Sequence, residues 1–203
     1  MFIVELMSSS KMLKKNNFLV VIFLFLFLQM EILKSSAKVF AEINQYTSDS
    51  VRHFNIGNSN LKSNKYIEAI EEYSKAIQLY QDFSMAYTNR GIARKKLGYF
   101  KDAIKDYNKA LEINSTDFNA YYNRGLAKFE IKKYRDAIND YDQAILINSK
   151  YARFYYNRAL SRLAVKDKTN ACADFAKSLL MNNQKVIDLI INDYNLVCPS
   201  IFK

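Results

Sequence analysis

Residues 84–117 read SMAYTNRGIARKKLGYFKDAIKDYNKALEINSTD, and residues 118–151 read FNAYYNRGLAKFEIKKYRDAINDYDQAILINSKY. Laid over one another without a gap, they share Asn-Arg-Gly at places six to eight, Ala at twenty, Asp-Tyr at twenty-three and twenty-four, and Ala at twenty-seven. The frame extends both ways without insertion, to 50–83 and 152–185. The eighth place is then Gly57, Gly91, Gly125 and Ala159, and the twentieth is Ala69, Ala103, Ala137 and Ala171. The twenty-fourth is Tyr73, Tyr107, Tyr141 and Phe175, and the twenty-seventh is Ala76, Ala110, Ala144 and Ser178. A fixed period of 34 marks a chain in which one short structural repeat is written several times.

Small residues at three fixed places suit two antiparallel helices whose backbones approach closely, with the aromatic at twenty-four filling the gap beside them. The second half of each repeat has helical spacing, as in Ala103, Tyr107, Ala110 and Leu111 among Lys and Asp. Leu97-Gly98-Tyr99 supplies the turn between the helices, where Gly98 accepts a positive φ. One helix pair cannot bury its own apolar face, so each must stack on the next. The expectation is an all-α chain, an α-solenoid of stacked helix–turn–helix repeats. Composition points the same way. Four Gly and one Pro in 203 residues leave little turn chemistry for a hairpin-rich β fold, while half the chain is apolar and can build a core.

The ends read differently. Lys11, Lys14 and Lys15 precede the unbroken apolar run Phe18–Leu28, and small residues follow at Ser35, Ser36, Ala37 and Ala41. Eleven apolar residues fall short of the roughly 20 that span a bilayer and inside the roughly 7–15 of an export signal. Residues 1–41 are therefore expected to be a signal peptide, cleaved after Ala41 or Ala37, that sends the chain to a periplasmic, lumenal or extracellular compartment. The open alternative is an uncleaved membrane anchor over residues 18–33. Residues 42–49 form a lead-in. At the far end, Asp188, Asn192 and Asn195 make a polar stripe opposite Ile187, Ile190, Ile191 and Tyr194, so 186–203 is expected to be a capping helix and tail. The leader also holds part of the net charge of +10; without it the chain keeps +7, concentrated toward the fourth repeat.

The repeated residues resemble the tetratricopeptide repeat, in four consecutive copies: 50–83, 84–117, 118–151 and 152–185. The resemblance implies a non-catalytic scaffold whose first helices line a concave groove for a protein or peptide partner. Two departures stand out. The aromatic expected at the fourth place is Tyr87, Tyr121 and Tyr155 but His53 in the first repeat, where it is read as an end-repeat stand-in. The Pro customary at the thirty-second place is replaced by Gln81, Ser115, Ser149 and Asn183, which leaves the turns between repeats less rigid.

The sixth place is Asn in every copy: Asn55, Asn89, Asn123 and Asn157. Asn is a mediocre helix former that packing does not require there, and its amide can pair with both the N–H and the C=O of an extended peptide. Asparagine ladders in peptide-binding members of the family hold ligand backbones in this way. Phe54, Tyr122 and Tyr156 at the fifth place and Asn58 at the ninth complete the candidate peptide-binding set. The competing reading has these amides tying neighbouring repeats together or facing water. A second set is basic. Arg90 and Arg94, Arg124 and Lys128, and Arg158 and Arg162 lie one helical turn apart, with Asp106, Asp140 and Asp174 as candidate partners. They are either ion pairs between helices or a stripe for RNA or another anionic surface.

Members of the family that clamp a chaperone's C-terminal carboxylate use Lys, Asn, Asn, Lys and Arg at places occupied here by Phe54, Asn58, Asn89, Asn119 and Asn123. The two asparagines are present and the three cations are not, so no clamp of that type is expected. Cys172 and Cys198 should meet, because the helix after Cys172 and the one before Cys198 run antiparallel; in an exported chain they are expected to form a disulfide. The single His and the Cys spacing fit no metal site, and no cofactor is expected. No nucleophile–base pair, phosphate loop or nucleic-acid motif is present, so neither an enzyme nor a nucleic-acid binder is expected from motifs.

Overall fold

The computed structural model describes residues 17–181 and Cys198. Residues 1–16, 182–197 and 199–203, with the basic start of the leader and the expected capping helix, lie outside the described residues. Among the described residues there are eight helices and no strand. They are α1 Asn17–Lys62, α2 Tyr66–Leu79, α3 Ser84–Lys96, α4 Phe100–Ile113, α5 Phe118–Glu130, α6 Tyr134–Ile147, α7 Ala152–Ala164 and α8 Lys168–Leu179. The chain divides into two compact units, Met1–Ser48 and Asp49–Lys203.

In the first unit, Phe25, Leu26, Leu33 and Phe40 stand exposed on α1, and both expected cleavage residues, Ala37 and Ala41, are helical. Ser36 Oγ donates to the Ile32 carbonyl at 2.9 Å, and Lys34 pairs with Glu31 at 2.8 Å. Among the described residues no helix is long and apolar enough to cross a membrane, the side chains of 18–24 at the head of the apolar run lying outside that description.

The second unit is the stack of repeats. Each repeat pairs a first helix with a second (α3 with α4, α5 with α6, α7 with α8), and each second helix then packs on the next first helix. Successive first helices also touch, α3 with α5 and α5 with α7, while no comparable approach links successive second helices. The stack therefore curves with its first helices on the inner side.

Packing follows the repeat. Ala69, Ala103, Ala137 and Ala171 are fully buried, as are Tyr73, Tyr107, Tyr141 and Phe175. A Cβ on Gly57, Gly91 or Gly125 would lie 2.7, 2.6 or 2.7 Å from the ring of the tyrosine at the twenty-fourth place of its own repeat. The glycine is thus required by the ring rather than by backbone conformation. Between repeats, Ala93 packs with Ala69 and Tyr73, and Ala127 with Ala103 and Tyr107. Ala86 packs with Ala76, and Ala120 with Ala110 and Leu111. The third and tenth places are thus inter-repeat contacts that the sequence reading did not single out.

The turns also obey one rule. In every repeat the backbone N–H of the sixteenth residue donates to the carbonyl of the eleventh: Lys65 to Asn60, Tyr99 to Arg94 and Asp167 to Arg162 at 2.9 Å, and Lys133 to Lys128 at 2.8 Å. The residue before it is left-handed, with φ of 61° at Asn64, 79° at Gly98, 62° at Lys132 and 67° at Lys166. This closure ends an α-helix by satisfying its last carbonyls. Only Gly98 announces it in sequence, because Asn and Lys occupy the same conformation elsewhere. Two of the turns between repeats use side chains where Pro is missing. Asn114 Oδ1 accepts from the Thr116 backbone at 3.1 Å and its hydroxyl at 2.8 Å, and Asn148 Oδ1 accepts from the Lys150 backbone at 3.1 Å. These Asx turns supply the rigidity that Pro would otherwise give.

Candidate functional site

The inner face is built from the first helices, whose sixth place carries the asparagines. Asn55 is exposed, and Asn89, Asn123 and Asn157 are half-buried. In one register they make different bonds. Asn89 Nδ2 donates to Asn58 Oδ1 of the preceding repeat at 2.8 Å. Asn123 Nδ2 donates back to the Asn119 carbonyl at 2.9 Å. Asn157 Nδ2 donates to the Arg153 carbonyl at 2.8 Å and to the Tyr122 hydroxyl at 3.1 Å. Asn58 also accepts from the Tyr73 hydroxyl at 2.8 Å, which closes a Tyr73–Asn58–Asn89 network across the first two repeats. Two of these amides, Asn89 and Asn157, therefore do tie neighbouring repeats together, while Asn123 bonds only its own helix and Asn157 bonds its own helix as well.

The fifth-place aromatics lie in the floor of this face. Phe54 sits between Tyr73 and Phe83, ring centroids 5.8 and 4.7 Å away. Tyr122 sits between Tyr141 and Phe154 at 6.0 and 4.8 Å, and Tyr156 is 5.9 Å from Phe175. Each therefore packs on the core tyrosine or phenylalanine of its own repeat, and Tyr122 also reaches the next repeat through Phe154. Thr88, at this place in the second repeat, is buried and donates to Asp117 Oδ2 at 2.9 Å.

The basic stripe turns inward. Arg90 and Arg94 both meet Asp106 at 2.7 Å; Arg124 meets Asp140 at 2.7 Å and Lys128 meets it at 2.8 Å; Arg158 and Arg162 both meet Asp174 at 2.6 Å. The carboxylates are buried, and the six cations show only 14–24% of their side-chain surface. Each arginine at the seventh place also reaches the preceding repeat, through Ser74, Asn108 and Asp142 respectively. It stacks over the fourth-place tyrosine as well, with guanidinium-to-centroid distances of 5.4, 5.3 and 5.5 Å for Tyr87, Tyr121 and Tyr155. The reading of these residues as an open stripe for RNA or an anionic surface is thereby corrected. They are interior ion triads, one per repeat, because the twenty-third-place acid faces two cations one turn apart. In the first repeat the acid is Glu72, and His53 Nδ1 meets it at 2.6 Å, so His53 is more than a stand-in for a ring. The bond from His53, then that from Lys75, holds the Glu72 carboxyl below the usual carboxylate range.

Two inner-face cations escaped the sequence reading. Arg153 is exposed and lies flat over Tyr122, Tyr151 and Phe154, 5.0, 4.9 and 5.5 Å from their centroids. Lys95 is half-buried; burial pushes its ammonium down to about 8, Lys96 adds to the fall, and Glu130 opposes it. Only the dense aromatic run Tyr151-Ala152-Arg153-Phe154-Tyr155-Tyr156 signalled the first, and nothing in sequence signalled the second.

Beneath the same face, Tyr107 and Tyr141 have buried hydroxyls with no hydrogen-bond partner among the described residues. A buried, unsatisfied hydroxyl costs about 1–3 kcal/mol. Away from this face, the structure joins Cys172 to Cys198 across a Cα–Cα distance of 5.6 Å, inside the range a disulfide needs. Cys198 is buried against Ala171 and Phe175 of the last repeat.

Comparison with known proteins agrees with this architecture. The family described as TPR repeat matches residues 57–98 and 95–132, and the tetratricopeptide repeat itself matches residues 118–151. No curated protein matches the chain. Among solved structures, the first TPR of Spaghetti (RPAP3) bound to the HSP90 peptide SRMEEVD is 27% identical, with a TM-score of 0.58 over 59% of this chain and 95% of that one. The Arabidopsis OM64 TPR domain is 26% identical, with a TM-score of 0.57 over 58% of this chain and 97% of that one. MamA from Desulfovibrio magneticus RS-1, at 19% identity, shares the fold with a TM-score of 0.65 over 76% of this chain and 91% of that one. The helix pairs described above are tetratricopeptide repeats over residues 57–151, and their arrangement is that of a TPR-type protein-interaction scaffold.

Proposed function

We propose that the inner face of the first helices is a groove that holds an extended peptide or protein segment by its main chain, without catalysis. The carrying observation is the row of Asn55, Asn89, Asn123 and Asn157, which presents one primary amide per repeat along helices that touch one another. An amide at a fixed interval suits a ligand whose backbone groups recur whatever its sequence. The Spaghetti (RPAP3) domain, similar over 95% of its length, is bound to an HSP90 peptide, which supports a peptide-like ligand here. The clamp for a chaperone carboxylate is not part of this proposal, since Phe54, Asn119 and Asn123 stand where its cations would be. Export is the second half of the proposal: the apolar run after Lys14 and Lys15 supports a signal, and the Cys172–Cys198 link suits an oxidising compartment.

The test is affinity capture of a partner from the exported or membrane fraction, repeated with Asn89→Ala and Asn123→Ala combined. Two lost backbone contacts of about 1–1.5 kcal/mol each weaken binding roughly tenfold or more, with the helical circular dichroism unchanged. Equal affinity in the folded variant overturns the groove.

A further inference from the structure

Tyr73, Tyr107 and Tyr141 occupy one place in three successive repeats, are fully buried, and press the same ring edge on the glycine of their own repeat. Their hydroxyls therefore point the same way. Tyr73 shows where: its hydroxyl donates to Asn58 Oδ1 at 2.8 Å, and the same oxygen takes a bond from Asn89 Nδ2 at 2.8 Å. Asn58 is at the ninth place and Asn89 at the sixth place of the next repeat, so the hydroxyl is aimed into the inner face.

The corresponding residues around Tyr107 are Ile92 and Asn123, and around Tyr141 they are Leu126 and Asn157. An aliphatic side chain offers no acceptor. Asn123 and Asn157 turn their Nδ2 groups back to the Asn119 and Arg153 carbonyls. Among the described residues both tyrosine hydroxyls are left without a partner. The fourth repeat supplies the contrast, since Leu160 at the ninth place is matched by Phe175, which has no hydroxyl to satisfy. The second and third repeats combine the aliphatic residue with a tyrosine, and packing makes no use of the extra oxygen.

We propose that the Tyr107 and Tyr141 hydroxyls are donors kept for the ligand, each bonding a main-chain carbonyl of an extended peptide laid along α3, α5 and α7. The carbonyl reaches them when the Asn123 and Asn157 amides swing off their own helices. A main-chain carbonyl fits because the two donors recur at one repeat spacing, and only the backbone of a ligand offers an acceptor that recurs regardless of sequence. This inference rests on the groove proposed above and adds the residues that set the ligand's register, which places binding in the second to fourth repeats.

The test uses the full mature, oxidised chain and three conservative variants, Tyr73→Phe, Tyr107→Phe and Tyr141→Phe. In the free protein, Tyr73→Phe lowers Tm because it opens the Asn58–Asn89 network, whereas Tyr107→Phe and Tyr141→Phe leave Tm unchanged or raise it. The binding probe is a set of peptides selected on the wild-type chain from a random dodecapeptide phage library. Their affinity falls about tenfold for the Tyr107→Phe and Tyr141→Phe double variant, the size of one or two lost hydrogen bonds. Wild-type affinity in that double variant overturns this inference and leaves the groove standing. So does a Tm loss equal to that of Tyr73→Phe, which would show the hydroxyls already satisfied by buried water. A library from which the wild-type chain retains no peptide overturns the groove itself.

Discussion

At the residue scale, the glycine of the eighth place and the tyrosine of the twenty-fourth behave as one packing element. A Cβ on Gly91 would meet Tyr107 Cε1 at 2.6 Å, so either the ring or the helix would have to move. That coupling was visible in the repeat pattern, because both places change together in the fourth repeat, to Ala159 and Phe175. The state of the hydroxyls was not visible, since it depends on what a neighbouring helix places within bonding distance. Burial raises the Tyr73 hydroxyl to about 12, against a smaller opposing pull from the neighbouring Asn89 amide, and raises Tyr107 and Tyr141 further. An unfolded tyrosine ionises near 10, so these groups contribute stability that is complete below that pH and is lost as pH rises toward and past 12. The chain is expected to unfold on the alkaline side in this window, with tyrosinate absorbance and loss of helical circular dichroism rising together. Ionisation of all tyrosines with the helical signal intact would contradict the burial described here.

At the scale of elements, the triads join three helices at once. Arg124 reaches Asp140 on α6 and Asn108 on α4, and stacks over Tyr121 on its own helix. Sequence showed the cations one turn apart and named the right aspartates, yet left open whether the stripe faced water. Exposure decided it, and exposure is set by how closely the second helix packs on the first. Asp140→Ala leaves Arg124 and Lys128 without their shared carboxylate in a site where each head is mostly covered. A loss of about 3 kcal/mol is expected in urea denaturation, the low end for breaking a buried pair because both cations retain some contact with water. A loss below about 1 kcal/mol would place the triad among ordinary surface pairs. The turns teach the same lesson: Gly98 advertised its left-handed conformation, while Lys132 and Lys166 adopt it because the packed helices leave the chain no other closure.

For the whole molecule, part of the net charge of +10 sits in the leader, and six of the stack's cations are held in triads with buried aspartates. Export remains the proposal with the clearest readout. N-terminal sequencing of the mature protein is expected to begin near Glu42, and thiol titration without reductant to find no free cysteine. A chain that keeps its leader and shows two free thiols would contradict both expectations. By itself the sequence determined the repeat, its length, the all-α class and the pairing of Gly with Tyr, because a 34-residue period writes the same local packing problem four times. Only the tertiary structure decided which polar groups bond within the fold and which, among the described residues, do not. An Arg, an Asn or a Tyr hydroxyl has the same letter whether its bonds are filled or not, and the filling depends on distances set between helices of different repeats.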